Sequence, residues 1–292
     1  MNTMNTMEST RKAQRISVAY PPSGRRHLIL AVEACCLNIV TGEGAAWAEG
    51  IYTDTSGVSS LRIVEEGGTT RVSIERRSIP ADYHGLPELF TSNRTLTLAL
   101  GKALPFDLTI ESGAGEYHLD LGGLPISSLG IVHGAGKLAL DFPRPNPQEM
   151  YLFSLRTGAG EVEMRNLANA NFDEMRVEGG AASFKLDFCG DLHRNATVAL
   201  RASMASVDIS IPASTAAKVT ADTMFSSIGI GDGFTRLGGA FWTGCALSNA
   251  RSDRVSLLTI DARLSLGTLK LRTIQLCGPQ RCGEKAAEGN LP

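Results

Sequence analysis

Apolar and polar residues alternate along most of this chain, and the alternation restarts at a regular interval. Each restart is marked by a small-residue motif whose first residue, called position zero here, is Gly113, Gly134, Gly158 and Gly180, at intervals of 21, 24 and 22 residues. Alternation with period two predicts a strand with one buried face, and a fixed interval of this size predicts stacked structural units. Apolar residues recur five and three residues before position zero and four and six residues after it: Leu108, Ile110, Tyr117, Leu119, Leu129, Ile131, Leu138, Leu140, Phe153, Leu155, Val162, Met164, Met175, Val177, Phe184 and Leu186.

The same register continues where the glycines are missing. It fits with Glu33, Ser203, Met224 or Ser265 as position zero, and half of it fits with Ser92. One such repeat buries too little apolar surface to offset the cost of ordering its chain, so neighbouring repeats must pair their backbones and share their buried faces. We therefore predict an all-β, single-stranded β-solenoid, similar to a parallel β-helix, with repeats of about 21–24 residues.

The register also divides the chain into segments. Residues 1–24 are expected to be a flexible tail, residues 25–276 a single solenoid domain, and residues 277–292 a second tail. Within the domain we expect a hairpin or a short coil over residues 51–75. The finer division of the domain is into irregular N-terminal coils 25–94, regular coils 95–231, a capping insertion 232–255 and a last coil 256–276.

Composition narrows the partners and the compartment. A net charge of -2 and a pI near 6.2 do not indicate a nucleic-acid surface or a polybasic membrane patch, and no segment is apolar for long enough to span a membrane. The spacing of the cysteines is irregular, so we expect no disulfide framework and a reducing, cytoplasmic location. The six cysteines are Cys35, Cys36, Cys189, Cys245, Cys277 and Cys282.

An exported protein is the alternative. Residues 25–48 have a basic start, an apolar run and the sequence Ala46-Trp47-Ala48, which together resemble a secretory signal with its cleavage site. Against this interpretation, Glu33 interrupts the run at the point where the repeat places its bend.

Candidate chemistry is sparse. A row of side chains seven residues after position zero is predicted to lie on one outer face, either as a solvated charged row or as a cation or sugar site. The histidines have no metal-ligand spacing, and we expect His118 and His133 at the surface. No catalytic, cofactor-binding or metal-binding residue is assigned, and no enzyme activity or cofactor is expected. The row consists of Asp120, Asp141, Arg165, Asp187 and Ser210.

Three of the repeats, residues 111–121, 132–142 and 178–188, together with the stretch 166–173, resemble the toast-rack domain family of bacterial β-solenoid proteins. That family is related to the C-terminal region of LiaF-type cell-envelope stress proteins and to adhesin repeats. The resemblance covers roughly residues 27–275. It implies a solenoid fold and offers no catalytic residues to transfer.

These observations lead to a functional expectation and two alternatives. We expect a non-enzymatic bacterial interaction module, linked to the cell-envelope stress response, that binds an unidentified protein partner and can also self-associate. The first alternative is a self-assembling scaffold like the bactofilins. The second is a carbohydrate-active β-helix enzyme.

Overall fold

The computed structural model describes residues 12–55, 59–76, 94–249 and 255–275. These residues form an almost entirely β structure with one short helix, α1 (Gly244–Ser248), and one 3-10 turn, Leu167–Ala170. Among the described residues, no helix has the length and hydropathy that a membrane crossing needs. The strands are β1 (Lys12–Val18), β2 (His27–Val32), β3 (Cys36–Thr41), β4 (Ala48–Asp54), β5 (Ser59–Glu66), β6 (Thr69–Arg76), β7 (Arg94–Leu100), β8 (Phe106–Asp120), β9 (Ile126–Asp141), β10 (Met150–Arg165), β11 (Phe172–Asp187), β12 (Ala196–Pro212), β13 (Ala216–Ile230), β14 (Phe234–Leu237), β15 (Ala240–Thr243) and β16 (Leu257–Ile274).

The long strands β8 to β12 are the regular coils of the solenoid. Each pairs in parallel with the next and in the register that the sequence predicts, so that Gly136 lies beside Gly160 and Val162 beside Phe184. Both Val162 and Phe184 are fully buried. A common aliphatic stripe therefore runs through the stack, and the predicted solenoid is confirmed.

Strands β2 and β3 complete the coil that precedes β8. Leu28 lies beside Leu108, and Leu37 beside Tyr117, which is the register predicted with Glu33 at the bend. Trp47, just before β4, is fully buried as well. Because these strands form part of the core, cleavage after a signal at residues 25–48 would remove a coil.

The N-terminal end of the stack is closed by antiparallel strands. Strands β5 and β6 form a hairpin over part of residues 51–75, as expected, and β6 pairs in parallel with β2. Strand β4 pairs antiparallel with β7, and β1 pairs antiparallel with β4. The expectation of a flexible tail over residues 1–24 is therefore wrong for β1, where Ile16 and Val18 pack into the core.

The C-terminal end departs from chain order. Strand β16 does not follow β13 at the end of the stack; it lies between β12 and β13 and pairs in parallel with both. Strands β14 and β15 then form a hairpin outside β13, where Phe241 and Trp242 pair with Val219 and Lys218. The coils are thus not wound as one continuous spiral, although the coils within the described residues keep their predicted register.

The cysteines also differ from the expectation. Cys189 is disulfide-bonded. Cys35, Cys36 and Cys245 are free. Irregular spacing in the sequence gave no sign of this bond, because a disulfide joins residues that are close in space and not at any fixed separation along the chain.

Candidate functional site: the corner groove

Each coil bends over position zero and the two residues that follow it, and glycines in this stretch let the coils stack closely. Gly160 has φ +128°, which disfavours any side chain, and a Cβ at this position would collide with the carbonyl oxygen of Gly136 on the coil below. The small-residue motif therefore lets successive backbones stack while each chain turns the corner.

Inside the bend, the residue before position zero packs against the residue four after it. A Cβ on Gly179 would lie 2.5 Å from Cζ of Phe184, so the missing side chain makes room for the ring. The small Ser112 likewise shares its coil with the large Tyr117. The large residue four positions after position zero therefore packs where the residue just before position zero is small.

His133 occupies this inner position, so the expectation that it lies at the surface is wrong. Its ring is buried edge-on against Tyr117, with centroids 5.0 Å apart, and Nδ1 lies 3.2 Å from Oγ of Ser112. Burial lowers the pKa of His133 below its ordinary value, which favours a neutral packed ring. His118 is exposed as expected.

A groove of about 770 Å³ runs along the outside of the bends, parallel to the axis of the stack. Six coils line it, β9, β10, β11, β12, β16 and β13. With strands about 4.8 Å apart, five intervals give the groove a length of about 24 Å. We call it the corner groove. The residues that line it stand two residues before position zero, one residue before it, or at position zero itself: Val132, His133, Gly134, Arg156, Thr157, Gly158, Glu178, Gly179, Arg201, Ala202, Ser203, Asp222, Met224, Arg263, Leu264 and Ser265.

Charged side chains follow one wall of the corner groove. Arg156 and Glu178 on adjacent coils form an ion pair of 3.0 Å. Arg263 pairs at 3.2 Å with Asp261, which lies outside the groove. With Arg201, the lining contains three guanidinium groups and two carboxylates, those of Glu178 and Asp222, and Asp261 beside the groove adds a third carboxylate.

Beside the groove, the residue after position zero forms a partly to fully exposed row along the corner. In the coils from β8 to β11 this residue is always alanine, and in the three coils at the C-terminal end it is large and apolar. Register places Met204 beside Leu266 and Leu266 beside Phe225, with exposed fractions of 56%, 48% and 76%. Met224, on the groove side of the same corner, is 75% exposed.

The sequence contained part of this signal. If the repeats are aligned on position zero, the residue that follows it changes from alanine to a large apolar residue in the last three coils. Their contiguity could not have been read, because Leu266 reaches its place only through the insertion of β16 between β12 and β13.

The predicted charged row seven residues after position zero serves the turns that follow the strands. Asp120 accepts a hydrogen bond of 3.0 Å from the backbone N–H of Gly122, and Asp187 accepts one of 3.0 Å from that of Cys189. Such Asx turns close the chain locally. Asp141 accepts a bond of 2.7 Å from the side-chain amide of Asn166. Arg165 forms an ion pair with Glu163, and Ser210 accepts from Arg272.

Partial burial raises the pKa of Asp187 above its ordinary value, although the hydrogen bond from Cys189 acts in the opposite direction. Within the described ranges, no group of three or more histidine, cysteine or acidic side chains is placed to hold a metal ion. The observed geometry of the row favours its structural interpretation, in which the carboxylates close turns.

Comparison with known proteins places these observations in a family. No curated protein matches the chain. Solved structures that resemble it include a "putative cell adhesion protein" from Clostridium sporogenes, at 13% identity and TM-score 0.48, covering 90% of this chain and 100% of the other. A "putative lipid binding protein" from Parabacteroides distasonis resembles it at 12% identity and TM-score 0.37, covering 91% and 98%. The model of the N-terminal domain of toast_rack, DUF2154, matches residues 7–165, more than half of the sequence, and the chain belongs to this toast-rack family.

Proposed function

We propose that this protein is a non-enzymatic interaction module that holds an extended segment of a partner protein in the corner groove. The observation that carries the proposal is the groove itself, an open channel that crosses six coils and is lined by charged and apolar side chains. Extended grooves on stacked-repeat proteins are suited to binding surfaces, because every coil contributes one set of side chains at a fixed spacing.

The dimensions and chemistry of the groove define the partner segment. An extended polypeptide rises about 3.3 Å per residue, so a groove about 24 Å long accommodates about seven residues. Arg201 and Arg263 favour carboxylate side chains, since a guanidinium donates two parallel hydrogen bonds to a carboxylate. Val132 and Met224, which are exposed in the groove, favour apolar side chains. The expected segment is therefore extended, acidic and partly apolar.

A fluorescein-labelled peptide of seven residues with alternating Glu and Leu provides the probe for this proposal. We expect its anisotropy to rise on titration with the full chain and the binding to weaken as salt increases. The double variant Arg201→Glu/Arg263→Glu is expected to bind at least about tenfold more weakly, because it loses two charge-assisted contacts.

The matched control is Lys137→Glu/Lys270→Glu, which makes the same change in net charge at exposed lysines that do not line the groove. This variant should bind the peptide nearly as the wild type does. Equal losses in both double variants would show a general charge effect and overturn the corner groove as the site, and so would the absence of any binding by the wild type.

The compartment is the second part of the proposal. We propose that the protein works outside the reducing cytoplasm, because Cys189 is disulfide-bonded and disulfides persist in oxidising compartments. This replaces the expected cytoplasmic location, while residues 25–48 stay in the folded core. A role in the bacterial cell-envelope stress response is supported by the family resemblance alone. No observation supports the carbohydrate-active alternative, since Asp120 and Asp187 of its candidate row close turns and Asp141 accepts a hydrogen bond from Asn166.

A further inference from the structure

The outer edge of the last coil is only half covered. The β14–β15 hairpin pairs with β13 at Lys218 and Val219, in the half of the strand that precedes the bend. Within the described part of the chain, no strand pairs with the outer edge of the half that follows the bend. We call the segment from Ser227 to Ile230 the open edge.

The open edge exposes residues that are buried in the other coils. Ile228 and Ile230 stand four and six residues after position zero, where the adjacent coil has the buried Leu269 and Leu271. At the open edge their exposed fractions are 36% and 38%. The apolar interior of the solenoid therefore reaches the surface at this point, next to backbone N–H and C=O groups that no strand of the described residues pairs.

The open edge also lacks the charges that protect the opposite end of the stack. Natural proteins place charged residues on free strand edges because these discourage pairing with another chain. The edge strand β1 presents Arg15, and the edge strand β5 presents Arg62, Glu65 and Glu66, all exposed. From Thr223 to Gly231 the sequence contains no charged residue.

We propose that the open edge is the dimer interface of this protein, in which Ser227–Ile230 pairs antiparallel with the same segment of a second copy. A neutral segment meets its own copy about a two-fold axis without bringing like charges together, and a two-fold interface uses one surface twice. The pairing completes the backbone hydrogen bonds of both edges and covers Ile228 and Ile230 of both copies.

The geometry of the two ends favours a closed dimer over a filament. In an antiparallel pair the two hairpins lie on opposite sides of the axis, because each covers the half of β13 that precedes the bend. A head-to-tail stack would instead have to pair the open edge with the N-terminal end, where antiparallel strands present exposed charges. A discrete dimer therefore takes the place of the bactofilin-like scaffold as the expected form of self-association. It goes beyond the proposed binding at the corner groove, because Ile228 and Ile230 do not line that groove.

Sedimentation velocity of the full chain over a range of micromolar concentrations tests the interface. We expect the wild type to sediment as a dimer and both Ile228→Lys and Ile228→Asp to sediment as monomers, because each places two like charges across the two-fold axis. Mixing the two variants should restore a dimer, since the charges then attract. This rescue separates loss of the interface from loss of the fold, and circular dichroism of each variant checks the fold directly.

Two controls separate the open edge from nearby surfaces. Leu237→Lys changes an exposed apolar residue on the hairpin at the same end of the stack and should leave the dimer intact. Arg201→Glu/Arg263→Glu should also remain dimeric, so that the groove and the edge can fail independently.

Several outcomes would overturn the inference. A monomeric wild type, a series of species that grows without limit with concentration, or monomeric variants that fail to recombine would each exclude the two-fold pairing. A monomer that dimerises only after removal of residues 276–292 would show that the chain's own C-terminal segment occupies the edge in place of a second copy.

Discussion

At the scale of single residues, the corner is set by what each backbone must avoid on the coil below it. Gly136 and Gly160 both have positive φ, at 115° and 128°, and both stack directly on the carbonyl of the residue beneath. At the equivalent place in the next coil the chain has Ala182, which is not among the residues with positive φ. The corner therefore exists in two backbone forms, and only one of them needs glycine.

Substitution of Gly160 by alanine should expose this difference. We expect Gly160→Ala to lower the free energy of unfolding by about 2–3 kcal/mol, because the new Cβ meets both an unfavourable φ and a backbone oxygen that cannot move away. Urea-induced unfolding followed by circular dichroism measures the change.

The matched control reverses the substitution one coil away. Ala182→Gly should cost no more than about 1 kcal/mol, since it only adds freedom to the unfolded chain and removes one methyl group. Costs of equal size in the two variants would mean that the positive φ at Gly160 is not required by the stack.

For most residues, the side of the strand that faces the core can be predicted from the sequence. Alternation fixed which side chains face the core, because a strand has no other way to bury every second residue. His133 continues the alternation of Leu129 and Ile131, so period two alone places it inside, and only its polar side chain favoured the surface. That is why His133, expected at the surface, is buried.

At the scale of elements, each strand and its register follow from its own sequence, but the order of the last coils does not. The apolar positions of β13 and β16 match the same pattern, so either strand could pair with β12 as far as the pattern shows. What differs is the chain between them, which forms the β14–β15 hairpin on the outer edge of β13 before β16 returns. The insertion is thus a property of the connection, and periodicity carries no information about it.

Engineered cysteines test the strand order directly. Ser206 on β12 and Thr268 on β16 are paired, with their hydroxyl oxygens 3.2 Å apart. The pair Ser206→Cys/Thr268→Cys should therefore form a disulfide under mild oxidation, which peptide mapping by mass spectrometry detects.

The control pair is Ser206→Cys/Ser227→Cys. Stacking in chain order would place Ser206 beside Ser227, whereas the insertion of β16 separates them by two strand spacings, about 9.6 Å, which is too far for a disulfide. A bond between positions 206 and 227 instead of 206 and 268 would show that β13 lies next to β12.

At the scale of the whole molecule, the sequence predicts a solenoid but not the environment in which it works. Two features of the sequence bear on the environment, and both are indirect. The cysteine spacing favours a reducing compartment, and the apolar run at residues 25–48 resembles a leader. In the structure Cys189 is disulfide-bonded, and that run forms β2 and β3. Both observations depend on contacts between distant residues, which no local pattern contains.

Thiol labelling distinguishes the cysteines and thereby tests the compartment. In the folded chain we expect iodoacetamide to modify the exposed Cys36 and to spare Cys35, whose thiol is buried and whose pKa is raised to about 12 by that burial. Cys189 should resist alkylation even in denaturant and become reactive only after reduction, because it is already bonded.

Alkylation in intact cells before lysis extends the test to the native compartment. If Cys189 in denatured extracts of those cells resists alkylation until a reductant is added, the bond is present in the cell, and the protein resides in an oxidising environment, where disulfides persist. If Cys189 is alkylated in denatured extracts of those cells without a reductant, the bond is absent in the cell, and a cytoplasmic location becomes the better interpretation.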